Sequence, residues 1–453
     1  MDNLEKLNND NLNKIWKWFN AVSGEVEISE AQKFFREIIF LKLLSDKLND
    51  KNKYYTTRLS NAFDLKICLE DKEEFFNSLT VFIESNECLK DIVFEIFTFN
   101  HDAKYKRLCE SVDILSNLDL TKDIDSALLF KEIISTIYKD SKRDVTTSPS
   151  INEFISRLFK NIKFKTLYDP VIGRGILAFD VAYGHKGAEI YGQDISKDVL
   201  NICKMLLILD ERIEEIHNIT LGNTILNPEN IEEGKLKKFD CIVANPPFGL
   251  KEWGYNEVLE DDRYNRFHRG IPSKSSGDYA FISHIIESMN KNGTAAVIVT
   301  TGVLFKEGAE GEIRKQIINE NLIDAVISLP NNMMYGTAIP VNIIILKKNK
   351  KEKDVLFIDT SSRVENNRVL TRFTDVNIEE IADIYERRIE IEGLSKKIYV
   401  EDIEKNDYNL NVSRYIAVKK EREKLDIKQI GNTIHDLLCK LNQVQNDIDK
   451  ILQ

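Results

Sequence analysis

The stretch FDCIVANPPFG sets an amide, two prolines and an aromatic ring in succession at the end of an apolar run. Each proline fixes its own φ and pushes the residue before it out of the helical region, so Asn245 and Pro246 are expected to be extended and stiff, with Pro247 holding the turn. Two acceptors then stand side by side, the Asn245 side-chain oxygen and the Pro246 backbone carbonyl. Such a pair can bind both N–H groups of a planar amine, pyramidalise its nitrogen and aim the lone pair at an electrophile. The exocyclic amine of adenine needs that help, because its lone pair is delocalised into the ring. Phe248 can stack on the base, which must leave the duplex because the attacking atom is buried there. A protein glutamine or a base in RNA satisfies the same turn.

An electrophile is suggested upstream. KTLYDPVIGRGILAFDVA reads as a strand, a turn holding Gly173 and Gly175, and a helix, and AEIYGQD follows, ending in Asp194. Glycines let backbone approach a ligand closely, and an acid ending the next strand can accept both hydrogen bonds of a ribose diol. That much suits any nucleotide-like cofactor. Asp169, at the carboxyl end of the first strand, suits the amino group or sulfonium of S-adenosylmethionine and would repel a pyrophosphate. The alternative is a non-catalytic scaffold of the same fold, with Ile172, Arg174 and Ile176 crowding the loop.

These motifs need elements to hold them. Residues 1–140 hold one glycine and no proline, with apolar residues at helical spacing, and are expected to form an all-helical domain. Ser29 and Gln32 read as a capping box for a helix burying Phe35, Ile38, Ile39 and Leu43. From 141 to 360 short β-branched runs alternate with helical segments, the pattern of an α/β domain with a mostly parallel sheet and a late antiparallel edge. Residues 361–453 read as a charged helical tail. In it Ile427, Ile430, Ile434, Leu437, Leu441, Val444, Ile448 and Ile451 form a heptad stripe, which fits a helix folded back on its own domain or a coiled coil with another chain.

At these motifs the chain resembles the modification (methyltransferase) subunit of type I restriction-modification systems, through TTSPS, DPVIGRG, IYGQDIS, LGNTIL and NPPFG and on to NDYNLNVSRYI near its end. The resemblance implies a Rossmann-like S-adenosylmethionine-dependent methyltransferase domain between an N-terminal helical domain and a C-terminal helical tail, acting as a site-specific DNA adenine-N6 methyltransferase. It implies Thr147 and Pro149 over the methionine end of the cofactor, Asp169, Gly173 and Gly175 beneath it, Asp194 on the ribose and Asn223 beside its adenine. Asn245, Pro246 and Phe248 would hold the target base. The chain departs from the family where Val171, Ile172, Arg174 and Ile176 replace smaller residues, and where Asn223 replaces an aspartate; its carbonyl can still accept from an adenine amine.

The formal net charge of −11 is unfavourable for gripping phosphates, so the basic residues must be concentrated or another subunit must help. The basic, aromatic-interleaved stretch after the motif offers Arg263, Arg266, Arg269 and Lys274 to double-stranded DNA. No segment remains to read a DNA sequence, which points to a DNA-specificity subunit held through the C-terminal helix, and the resemblance adds a restriction (cleavage) subunit. Six scattered cysteines without a C-x-x-C pair indicate neither a zinc site nor disulfides, and the histidines form no cluster, so no metal is expected. No stretch reaches the roughly 20 apolar residues of a membrane span and no secretory leader opens the chain, so a cytoplasmic protein is expected.

Overall fold

The structure, a computed structural model, describes residues 15, 17–19, 27–49, 59, 63–116, 125–138, 147–334, 339–361, 363, 365–366, 371–416, 437–438, 440–441 and 444. Residues up to Ile416 form one compact unit and Ala417–Gln453 a second.

In the first unit the amino-terminal part is helical: α1 (Ile28–Asn49), α2 (Lys72–Glu84), α3 (Asp102–Ser116) and α4 (Ser126–Ile137). The apolar stripe of α1 is buried as expected, Phe35, Ile38, Ile39 and Leu43 being at most 1% exposed. The capping box is not formed: α1 already begins at Ile28, and Gln32 donates from Nε2 to the carbonyl of Ile137 at the end of α4, 3.1 Å away. An inter-helix hydrogen bond replaces a local one.

Helix α5 (Pro149–Phe159) is capped by Ser148, whose hydroxyl accepts from the Ile151 amide, and leads into β1 (Thr166–Asp169). There follow α6 (Ile176–Tyr183), β2 (Glu189–Asp194), α7 (Lys197–Leu209), β3 (Ile219–Leu221), the short hairpin β4–β5 (Ile231–Glu232, Lys235–Leu236) and β6 (Phe239–Ala244). Next come α8 (Tyr255–Glu260), α9 (Asp278–Ser288), β7 (Met289–Thr300), α10 (Ala309–Asn319), β8 (Ile323–Ser328), β9 (Val341–Lys347) and β10 (Asp354–Asp359). The unit closes with the ribbon β11–β12 (Glu365–Asn366, Thr371–Arg372), α11 (Asp375–Arg387), β13 (Ser395–Tyr399) and α12 (Val400–Glu404).

Nine strands form one sheet in the order β13-β10-β8-β9-β7-β6-β1-β2-β3. From β3 to β7 all pairings are parallel, and β10 runs parallel to β8. The expected antiparallel edge is only partly right: β13 is an antiparallel edge strand, but β9 lies inside the sheet, antiparallel to both β7 and β8. Its run VNIIIL is buried on both faces, which suits a central position and would be wasteful at an edge. Strand alternation divides two cores. Leu167, Cys241, Val243 and Ile343 face α5, α6, α7 and α11, while Tyr168, Ile242, Ala244 and Ile344 face α9 and α10.

The divisions expected at 140 and 360 do not separate cores. Buried residues of α1 and α4 belong to the same cluster as those of α7 and the sheet, because α1 and α4 bury apolar faces against α7. Past 360, β13 and α11 complete the sheet and its cover. Among the described residues no helix is long and apolar enough to cross a membrane.

Candidate active site

The carboxyl ends of β1, β2 and β6 open on one cavity of about 680 Å³, within the ordinary range for small-molecule sites of about 300–1,000 Å³. Its wall carries Thr147, Asp169, Gly173, Asp194 and Asn223 together with Asn245, Pro246, Pro247 and Phe248. Residues that the sequence spreads over about a hundred positions are thus brought together by strand order: β1 lies between β2 and β6, so the first loop touches both neighbours.

After Asp169 the chain turns sharply into α6. Gly175 takes φ +78°, and a Cβ there would lie 2.5 Å from the Cys203 sulfur of α7, so this position needs glycine both for conformation and for helix packing. It serves the loop from below and is not on the cavity wall. Ile172, bulky for such a loop, rests over Gly192 of β2, where a Cβ would sit 2.3 Å from its Cδ1. The missing side chain in β2 accommodates the extra one in the loop.

Two carboxylates define the floor. Asp194 accepts from the amides of Gly173 (3.0 Å, Oδ2) and Ser196 (2.9 Å, Oδ1), which pins the loop to the end of β2. Asp169 is 2% exposed and accepts from the Val171 amide at 3.0 Å. Burial pushes its carboxyl up to about 8, with the Val171 amide opposing and the charge of Asp194 adding to the rise. Among the described residues no cation is paired with it, and a buried acid so placed is stabilised by a cationic ligand. On the third side, the side-chain oxygen of Asn223 accepts from the amides of Ile225 (2.9 Å) and Leu226 (3.1 Å). Its carbonyl is therefore spent locally, and the expectation that it accepts from an adenine amine gives way to an amide NH₂ available as donor.

Strand β6 delivers Asn245. Its Nδ2 donates to the Thr147 hydroxyl at 3.2 Å, and its Oδ1, buried, has no hydrogen-bond partner among the described residues. With the nitrogen engaged, the oxygen is left as an acceptor awaiting a donor, at a cost of about 1–3 kcal/mol while unpaired. Pro246 is buried, Pro247 exposed, and Phe248 half-buried against the main core. Pro149, by contrast, is the exposed first residue of α5 and is not on the wall, so Thr147 alone represents its segment there.

The comparisons with known proteins give the family. The family model described as N-6 DNA methylase matches residues 133–424. The type I restriction enzyme MjaVII methylase subunit of Methanocaldococcus jannaschii is 31% identical over 402 residues, 83% of this chain and 68% of the relative. The MpnII methylase subunit of Mycoplasma pneumoniae is 29% identical over 376 residues, 77% of this chain and 68% of its own. Among solved structures, a type I restriction-modification methyltransferase subunit from Streptococcus thermophilus superposes with a TM-score of 0.80 at 23% identity, covering 90% of this chain and 99% of that one.

The chain belongs to the N-6 DNA methylase family, among the type I methylase subunits.

The activity that goes with that membership is methylation of adenine N6 in DNA. In this methylase two of the four basic residues expected to meet DNA are engaged elsewhere. Arg266 is 3% exposed; its guanidinium donates to the carbonyls of Thr224 (3.2 Å) and Ile225 (2.6 Å) and lies 3.3 Å from His284 Nδ1. Burial, then the Arg266 charge, holds His284 well below its ordinary value, so the imidazole is neutral and accepts. Arg269 is fixed by Glu287 (2.8 Å) and by both oxygens of Glu320 (2.8 and 2.6 Å). Phe267 is buried as well, with Trp253 and Ile225. Arg263, in an exposed ion pair with Asp261 at 3.4 Å, and Lys274 remain at the surface.

The wall residues that sequence reasoning missed include Tyr138, Asn152, Arg174 as a cavity group, and Trp253. Arg174 was visible as a bulky loop residue, but Asn152 lies on α5 beyond the TTSPS motif and Tyr138 just past the end of α4.

Proposed function

We propose that the cavity binds S-adenosylmethionine, and that Asn245 and the Pro246 carbonyl hold the amine of an adenine extruded from double-stranded DNA during transfer. The observation that carries this reading is the buried, unpartnered Asn245 oxygen beside a buried, unpaired Asp169 carboxyl. Bound there, S-adenosylmethionine supplies an electrophilic methyl group. Asp169 faces its positive end, Asp194 accepts from the ribose hydroxyls, and the Asn223 amide donates to the adenine ring. Thr147 holds the Asn245 amide so that the oxygen, not the nitrogen, meets the substrate. Phe248 stacks on the target base and offsets part of its extrusion. No general base is needed before transfer, since the amine attacks with its own lone pair and loses its proton afterwards.

The partner reading rests on the relatives' standing as subunits and on the second unit of the chain. Of the heptad stripe, Leu437, Leu441 and Val444 are helical and 57–62% exposed; Ile427, Ile430, Ile434, Ile448 and Ile451 lie outside the described residues. We assign this stripe to a DNA-specificity subunit, with a restriction subunit joining the same complex. Arg263 and Lys274 contact phosphate.

Incubation with tritiated S-adenosylmethionine, the specificity subunit and duplex DNA tests the whole. Label recovered as N6-methyladenine is expected. Label in RNA or in a glutamine-bearing protein, with none in DNA, would overturn the substrate.

A further inference from the structure

The α-ammonium of S-adenosylmethionine presents several N–H donors, and burying it leaves each in need of an acceptor. Asp169 supplies negative charge at the floor of the cavity. A second acceptor comes from helix α5. Asn152 is 2% exposed, lines the same cavity, and its Oδ1 has no hydrogen-bond partner among the described residues. An interior acceptor left in that state is unfavourable until a ligand donates to it. The charged groups of the wall, among the described residues, are two carboxylates, Asp169 and Asp194, and one guanidinium, Arg174, a balance that favours a cation.

Which end of the Asn152 amide faces the cavity is fixed from behind. Its side chain is hydrogen-bonded to the carboxyl of Asp180 on α6, an acid paired with Lys131 of α4 at 2.6 Å. A carboxylate accepts only from the amide NH₂, so the oxygen is turned the other way. Asn245 is held in the same manner, its nitrogen on Thr147 and its oxygen left as an acceptor. Thr147 directly precedes Ser148, the cap of α5, and Asn152 stands about 6 Å along the helix axis from that cap at roughly 1.5 Å per residue. The amino-acid end of the donor must lie near the transferred methyl, because only a short methylene link separates sulfur from the α-carbon. Of the donor's polar groups, the ribose and adenine have their partners in Asp194 and Asn223, and the sulfonium has no N–H to give, which leaves the ammonium for Asn152.

We propose that Asn152 Oδ1 accepts an N–H of the α-ammonium of S-adenosylmethionine, sharing recognition of the donor's amino group with Asp169. The inference rests on the methyl-donor reading and deepens it by naming a neutral acceptor, carried on α5, that selects donors by their amino group.

Calorimetric binding to the full-length chain tests it, with two probes: S-adenosylmethionine and its desamino analogue, in which hydrogen replaces the α-amino group. The wild type should prefer the intact donor by about tenfold or more. Asn152→Leu, which keeps the bulk and removes the acceptor, should reduce that preference by about tenfold, the lower end of what a hydrogen bond to a charged group contributes. The desamino analogue should stay within about threefold of its wild-type affinity. Asn152→Ala should give the same change in the ratio, which keeps the test open if the leucine variant does not fold. An unchanged preference in the variants overturns the assignment. An equal loss for both probes also overturns it, because it assigns Asn152 to the packing of α5 against α6. If the wild type binds the intact donor, the methyl-donor reading stands whichever way Asn152 behaves; if the wild type binds neither probe, that reading falls too.

Discussion

In the proposed site Asn245 and Asp169 have opposite parts, one a neutral acceptor without a donor and the other an acid without a cation among the described residues. Asn245→Ala removes the acceptor that meets only the reacting nitrogen. It should cut methylation by roughly 100- to 1,000-fold, the effect of losing one preorganised polar group in an active site, while the dissociation constant for S-adenosylmethionine stays within a few-fold. Single-turnover kinetics beside calorimetry separate the two. Asp169 predicts a pH dependence. Because burial pushes its empty-state carboxyl up to about 8, it is mostly protonated at neutral pH, and a cationic ligand favours the ionised form. Donor binding should therefore release a proton, and affinity should rise with pH and level off above about 8. For the empty protein the sign is reversed: a raised carboxyl makes the fold less stable as pH climbs from the ordinary carboxylate range toward 8. Calorimetry in buffers of different ionisation enthalpy reads the proton directly, and a pH-independent affinity would remove Asp169 from the donor site.

Elements position these groups through close backbone approach. Gly175 and Gly187 both take left-handed φ, +78° and +82°, but a Cβ at Gly187 meets nothing within 4 Å whereas one at Gly175 strikes Cys203. Gly187→Ala should thus cost only the conformational term of about 1–2 kcal/mol, and Gly175→Ala distinctly more, in urea denaturation. Within the segment after α8, Arg266 is buried and clamps the carbonyls of Thr224 and Ile225, next to Asn223. Arg266→Met should weaken donor binding and leave the salt dependence of DNA binding unchanged, because that guanidinium never meets a phosphate.

At the scale of the molecule, a chain with a formal net charge of −11 must bind DNA. Removing both Arg263 and Lys274 should lower the salt slope of DNA binding by the assembled complex by about 2, near 0.9 per phosphate contact. Fluorescence anisotropy across a salt series measures it, and an unchanged slope places the contact elsewhere. Deleting residues 427–453 should abolish co-elution with the specificity subunit in size-exclusion chromatography while the donor affinity of the remaining chain is kept. Continued co-elution would mean that the stripe serves this chain's own fold.

Local chemistry was legible without coordinates. The stiffness of Asn245-Pro246-Pro247, the acid after β1, the acid after β2 and the alternation of strands with helices follow from residue types and short spacings, since prolines, glycines and apolar periods act within a few residues. Long-range pairing was not. The continuous apolar run VNIIIL signals burial on both faces, but not which strands supply the two sides, and β9 takes its place between β7 and β8. Arg266 and Arg269 read as surface cations until their partners, Thr224, Ile225, Glu287 and Glu320, arrive from distant sequence. For Asn223 the reason is local, its oxygen being taken up by the turn that follows it, whereas Arg174 and Asn152 come to line one cavity only in the folded chain. Whether a polar group faces water, a ligand or another residue depends on which segments share its neighbourhood, and only the folded chain decides that.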